Sequence, residues 1–120
     1  MSDCQKAQAV EQQNEFRNDM EKEYALYLEE RKCERKIKNW LYEPLKLNLV
    51  EEGKRCTWTP DFIVWNGMNE IELHELKGLE REDDIIKFKA AASKFRFWRF
   101  KMIKGRKVHG EYKWDTVREL

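Results

Sequence analysis

The stretch TWTPDFIVWNGMNEIELHELKG, Thr57–Gly78, decides how this chain is read. DFIVW (61–65) and EIELHELKG (70–78) are two strand-like runs joined through Asn66-Gly67, a dipeptide suited to a tight turn between antiparallel strands. On the second run, period two puts Ile71, Leu73, Glu75 and Lys77 on one face and Glu72, His74 and Leu76 on the other. The first face starts apolar and ends with a carboxylate beside an ammonium. A strand needed only for stability would continue the apolar pattern, and a local rule broken mid-strand tends to mark function.

Asp61, directly after Pro60, belongs to the same argument. Hairpin pairing brings it roughly level with Glu75, about 5 Å away at the backbone if the two are direct neighbours. Carboxylates that close repel each other unless a proton or a cation lies between them. Oxygen-only ligation by one or two carboxylates suits Mg2+, which keeps several waters and accepts substrate phosphate; Mn2+ is expected to substitute. Lys77, one pleat beyond Glu75, can orient or deprotonate an attacking water, or stabilise the charge of a phosphoryl transition state.

Working outward, a helix is expected from Asn14 to Lys36, with Phe16, Met20, Tyr24, Tyr27 and Leu28 on its apolar stripe and Pro44 closing the helical region. LKLNLV (45–50) alternates as a half-buried strand does, EEGK (51–54) is a turn, and RCTWT (55–59) is a returning strand. Asp83 is a plausible N-cap for a second helix, 84–95, with Ile85, Phe88 and Ala92 on one face. FWRFKMI (97–103) reads as a buried strand, KGRK (104–107) as a turn and VHGEYKW (108–114) as a last edge strand. Together these give a mixed α/β domain over 13–120, a central mixed sheet flanked by helices with the core order α-β-β-β-α-β, behind a flexible segment, 1–12.

Composition bounds the function classes. The chain has 120 residues, enough for one domain, and no run of about 18 apolar residues that a spanning helix requires. No secretory signal opens it, so a cytoplasmic location is expected. Cys4, Cys33 and Cys56 form no CxxC pair and read as reduced thiols. The formal net charge is only +1, with 24 basic residues against 23 acidic. A protein that holds nucleic acid through its charge must therefore segregate those charges.

Pro60-Asp61 followed by Glu75-Leu76-Lys77, with 13 residues between the two acids, resembles the PD-(D/E)XK nuclease signature. Over about residues 15–103 the order of strand, glycine turn, ELKG strand and basic helix is similar to small phage endonucleases, including phage Holliday-junction resolvases. The resemblance implies a restriction-endonuclease-like core, a Mg2+-dependent DNA endonuclease, and a place in the cytoplasm of an infected bacterial host. It implies Asp61, Glu75 and the Leu76 backbone carbonyl as metal ligands, Lys77 as a catalytic partner, and one further glutamate on the first helix. Asn18-Asp19-Met20-Glu21 before Tyr24 fits that register and favours Glu21, whereas the helical wheel puts Glu23 inside the stripe.

His74, which points away from Glu75, reads as structural rather than as a ligand or base. Asp83 and Asp84 suit the start of a helix. Lys87, Lys89 and Lys94 on the second helix are the expected DNA contacts, made to backbone and shape rather than base edges. Arg96, Arg99 and Lys101 interleave with Phe95, Phe97, Trp98 and Phe100, either as a stacking platform or, more simply, as a buried strand with charged neighbours. Branched DNA and plain duplex or single-stranded DNA compete as substrates, and symmetric cutting of a four-way junction requires a homodimer. The alternative is a catalytically inactive nucleic-acid-binding or host-interaction module that keeps the fold. Asp61→Ala separates the two, since only the nuclease loses its function.

Overall fold

The computed structural model describes residues 16–49, 56–77 and 82–120. The expected flexible segment 1–12, the turn 51–54 and Gly78 lie outside them. The protein is a mixed α/β fold: a five-stranded mixed sheet with one helix on each face.

Helix α1 spans Asp19–Cys33 and is capped by Asn18, whose side chain accepts from the Glu21 N–H. It is shorter than the expected 14–36. Its end is a Schellman motif: Lys36 N–H bonds the Arg31 carbonyl, and Arg35 N–H bonds that of Lys32. The left-handed position is filled by Arg35, φ 61°, so no glycine marks the stop. Strand β1, Ile37–Tyr42, comes next, in a segment that the sequence pattern places in the helical region.

β2 (Leu47–Asn48) and β3 (Thr57–Trp58) pair as a small separate sheet, shorter than the expected 45–50 and 55–59. β4 (Phe62–Asn66) and β5 (Ile71–Lys77) form the expected hairpin. Its turn is longer than an Asn-Gly pair: the Asn66 side chain accepts from the N–H groups of Met68 and Glu70, and Asn69 takes the positive φ. Helix α2 covers Glu82–Lys94, so Asp83 lies in its first turn rather than at the cap. It leads into β6 (Arg99–Val108), parallel to β5, and β7 (Glu111–Glu119) returns antiparallel. Among the described residues five strands therefore precede α2, one more (β1) than the four runs read from the sequence, and two follow it. The sheet order is β1-β4-β5-β6-β7.

Central β5 is covered on both faces, so its interior is buried without interruption. One core packs Tyr24, Ala25 and Leu28 of α1 on Trp40, Phe62, Val64, Leu76 and Ile103. The other packs Phe88 and Ala91 of α2 on Trp58, Leu73, Phe100 and Met102. Phe16, Met20 and Tyr27 of the expected stripe sit at the edge of the first core, and Ile85 and Ala92 at the edge of the second.

The KGRK segment is not a turn. β6 runs straight through it, and the chain reverses at His109–Gly110, both at positive φ (52° and 80°), as a two-residue hairpin loop demands. Gly105 makes room instead: a Cβ there would lie 2.5 Å from the Trp114 ring. That ring packs edge-on against Tyr24, at 4.8 Å between centroids, and ties the β6–β7 hairpin to α1. Among the described residues no helix is long and apolar enough to cross a membrane, and Cys33 and Cys56 are free thiols.

Candidate active site

The register Phe62↔His74, extended one residue, sets Asp61 opposite Glu75, as the hairpin argument requires. Both acids are buried, at 5% and 8% exposure. They line a cleft of about 400 Å3 at the C-terminal end of β5, with Arg17, Glu21, Lys77 and Asp84. Three elements supply it: the start of α1, the β4–β5 hairpin and the first turn of α2.

Each acid is fixed differently. Asp61 Oδ2 accepts from the Leu76 N–H at 2.8 Å. In a strand, one residue's N–H and C=O point to the same side, so the Leu76 carbonyl also faces the Asp61 side. Opposite it in the extended register stands Pro60, which has no N–H to give it. Glu21, 3% exposed, accepts through Oε1 from the Tyr42 hydroxyl at 2.7 Å and the Arg17 N–H at 2.9 Å. Glu75 Oε2 pairs with Lys77 Nζ at 3.3 Å, while the buried Glu75 Oε1 receives no hydrogen bond. A buried carboxylate oxygen without a donor is costly and calls for a cation or a shared proton.

The electrostatics agree. Burial, then the Glu75 charge, push the Asp61 carboxyl up to about 8, against the opposing pull of the Leu76 N–H. Burial, with the Glu21 carboxylate, pushes the Tyr42 phenol up to about 12, so it stays a hydrogen-bond donor to Glu21. For Lys77, burial by itself would lower the ammonium, but Glu75 and Asp84 outweigh it and the net direction is up. Asp84 reaches Lys77 Nζ at 3.1 Å. Its place at a helix start, inferred from sequence, is thus joined by a second contact that the sequence did not suggest.

Three residues at the site escaped sequence reasoning: Glu43, Arg17 and Tyr42, the last of which donates to Glu21. Glu43 follows β1 at φ 42°, and its N–H bonds the Asp61 carbonyl. Glu21, Glu43 and Asp61 bring carboxylate oxygens within 4.8 Å of one another, a group able to hold a metal ion. Arg17 fills its centre: one guanidinium nitrogen lies 3.1 Å from Glu21, 2.8 Å from Glu43 and 2.7 Å from Asp61. Burial would lower the Arg17 pKa, but the three carboxylates raise it. The guanidinium stands in for the cation that the acids demand. The only local hint was an arginine four residues before Glu21.

A metal ion entering this group must displace Arg17, whose side chain is 61% exposed and free to swing out. Three solvent-screened pairs at roughly 0.2–1 kcal/mol each oppose its entry. Arg17→Met should therefore tighten Mn2+ binding about tenfold by titration calorimetry, which corresponds to about 1.4 kcal/mol. An unchanged affinity would mean that the ion sits clear of the guanidinium.

The remaining residues singled out from sequence are placed elsewhere. Glu23 is exposed and lines a different groove, with Tyr27 and Tyr112. His74 is buried, bonded to the Tyr24 hydroxyl at 2.6 Å and to Glu72 at 2.8 Å, and burial lowers its pKa. Its partners are satisfied within the core, beside a cavity of about 170 Å3. Lys87 and Lys89 are exposed on α2, but Lys94 is engaged by the Asn48 carbonyl at 2.8 Å. Of the aromatic run, Phe100 is buried in the core and Phe97 is 75% exposed. No family model, curated protein or solved structure matches the chain.

Proposed function

We propose that this chain is a metal-dependent DNA endonuclease of restriction-endonuclease-like fold, hydrolysing phosphodiester bonds. The observation that carries the reading is the buried Asp61–Glu75 pair beside Lys77, with Glu75 Oε1 left to a proton shared with Asp61 or to a cation. The resemblance to PD-(D/E)XK enzymes supports it. So does the order of elements: a helix bearing an acid, a hairpin bearing two, then a crossover helix and a parallel strand.

Asp61, Glu75, Glu21 and the Leu76 carbonyl would hold Mg2+, with Glu43 within reach of the same group. When bound, the ion supplies a Lewis acid for the phosphate and lowers the pKa of a water nucleophile. The chain's own residues do the rest. The Leu76 N–H fixes the Asp61 carboxylate, and Tyr42 and Asn18 fix Glu21. Lys77, held between Glu75 and Asp84, presents a fixed positive charge where the phosphate oxygens gain negative charge.

The test is nicking of supercoiled plasmid and cleavage of a synthetic four-way junction, with Mg2+, Mn2+ or EDTA. Metal-dependent cleavage is expected, abolished by EDTA, and the relative rates on the two DNAs choose between branched and unbranched substrate. Folded protein that cuts neither DNA with either metal sinks the proposal and leaves a binding or host-interaction module.

A further inference from the structure

We infer that the β6–β7 hairpin is a docking ribbon for the backbone of duplex DNA flanking the cut site, an inference that rests on the endonuclease reading. Among the described residues, β5 and β6 pair over Glu72–Lys77 and Arg99–Lys104. Beyond that point, β6 continues through Gly105, Arg106, Lys107 and Val108, paired only with β7 among the described residues. At about 3.3 Å per residue the overhang projects some 13 Å beyond Lys77. It leaves the sheet at the end where the acidic cleft lies.

The overhang is where the near-balanced charge of the chain separates. The paired segment 104–115 holds four cations, Lys104, Arg106, Lys107 and Lys113, against two carboxylates, Glu111 and Asp115. Register sets which face they occupy. Lys104 is the direct partner of Lys77, so both share the α2 face of the sheet. Two residues on comes Arg106, with Lys113 opposite it on β7. A basic row thus starts beside the proposed catalytic lysine and runs outward along one face, with cations one pleat apart.

The two faces of the ribbon differ. On the α1 face, Trp114 packs on Tyr24 and stacks with Tyr112 at 5.1 Å, which braces the hairpin. On the α2 face, Lys104 and Lys113 are exposed and neither forms an ion pair among the described residues; Asp115, which stands opposite Lys104 in the register, pairs instead with Arg106 at 2.9 Å. Ion pairing within the protein therefore leaves two cations unspent. A two-stranded ribbon is also one of the shapes the major groove of B-DNA admits. A second copy of this chain, ribbon against ribbon, would set like charges against each other.

The experiment is a salt titration of binding to a fluorescein-labelled duplex in EDTA. It compares the wild type, Lys104→Gln/Lys113→Gln and, on α2, Lys87→Gln/Lys89→Gln. All four positions are exposed, and a melting curve checks the fold of each variant. The ribbon pair should lower the slope of log K against log salt by about 2 and weaken binding roughly tenfold or more. An unchanged slope and affinity in that variant overturns the inference, as does a wild type that binds anionic vesicles through these lysines but does not bind duplex. A duplex bound through the ribbon yet left uncut after adding Mg2+ or Mn2+ upholds the ribbon and refutes the nuclease.

Discussion

Asp61→Asn is expected to raise the melting temperature of the metal-free protein while removing cleavage. The sign comes from linkage. Burial and the Glu75 charge hold the Asp61 carboxyl at about 8, above its ordinary 3.8. The folded chain keeps a proton there that the unfolded chain releases, so this group's stabilisation is complete below pH 3.8 and lost as pH rises through 8. Glu72 has the opposite sign. Burial would raise its pKa, but His74, Asn66 and Lys101 outweigh burial and bring it down to about 2. Its contribution is present above the ordinary carboxylate value and lost as pH falls towards 2. Among the described groups, the Asp61 penalty grows between pH 6 and 8, while that of His74, whose pKa burial lowers, shrinks as pH rises through the ordinary 6.5.

The asparagine carries no such penalty, and its amide oxygen can still accept from the Leu76 N–H. The lost Arg17 pair offsets part of the gain, though solvent screens it. A net gain of about 2–3 kcal/mol at pH 8 corresponds to roughly 10 °C. Mg2+ should then stabilise the wild type and leave Asp61→Asn unmoved. In the wild type the half-saturating Mg2+ concentration should rise about tenfold for each pH unit below 8, because the ion must displace a proton. Thermal melts at pH 6, 7 and 8, with and without Mg2+, read all three effects. A destabilised Asp61→Asn would mean that the carboxylate is held by Arg17 more strongly than Glu75 repels it.

That conflict was legible in the sequence because it lies in a hairpin, where alternation sets the face of each residue, although the register comes from the longer Asn66–Glu70 turn: a two-residue Asn66-Gly67 loop would have set Asp61 opposite Glu72. Asp61 and Glu75 needed only local rules. β1 was not legible: a bulge between Ile37 and Asn39 puts the buried Ile37 and Trp40 three residues apart, a helical spacing. With Arg35 instead of glycine in the left-handed position, nothing marked the end of α1 either. Losing β1 meant losing Glu43 and Tyr42, which reach the site through long-range pairing, Tyr42 opposite Phe62. Gly105 was misread because glycine beside lysine and arginine suggests a turn, whereas its cause is the Trp114 ring, nine residues away in sequence.

The hairpin also left open what Lys77 does, since a lysine there can orient water, deprotonate it or stabilise charge. The geometry favours charge. Nζ lies 3.3 Å from Glu75 and 3.1 Å from Asp84, and both carboxylates favour the ammonium over the neutral amine that a base requires. Lys77→Met should lower kcat on plasmid by about 10²–10³, the typical loss when one preorganised charge-stabilising donor is removed. Lys77→Arg keeps the positive charge and should recover part of that loss, limited by the different reach of the guanidinium. A lysine acting as base predicts otherwise: arginine, which does not deprotonate, would be as inactive as methionine. The wild-type rate would also climb steadily above pH 9 as the ammonium loses its proton. Measuring kcat for the three proteins from pH 7 to 10 at saturating Mg2+ distinguishes the roles. Equal activity in Lys77→Met and wild type would remove Lys77 from the chemistry and leave it as the counter-ion that keeps Glu75 and Asp84 apart.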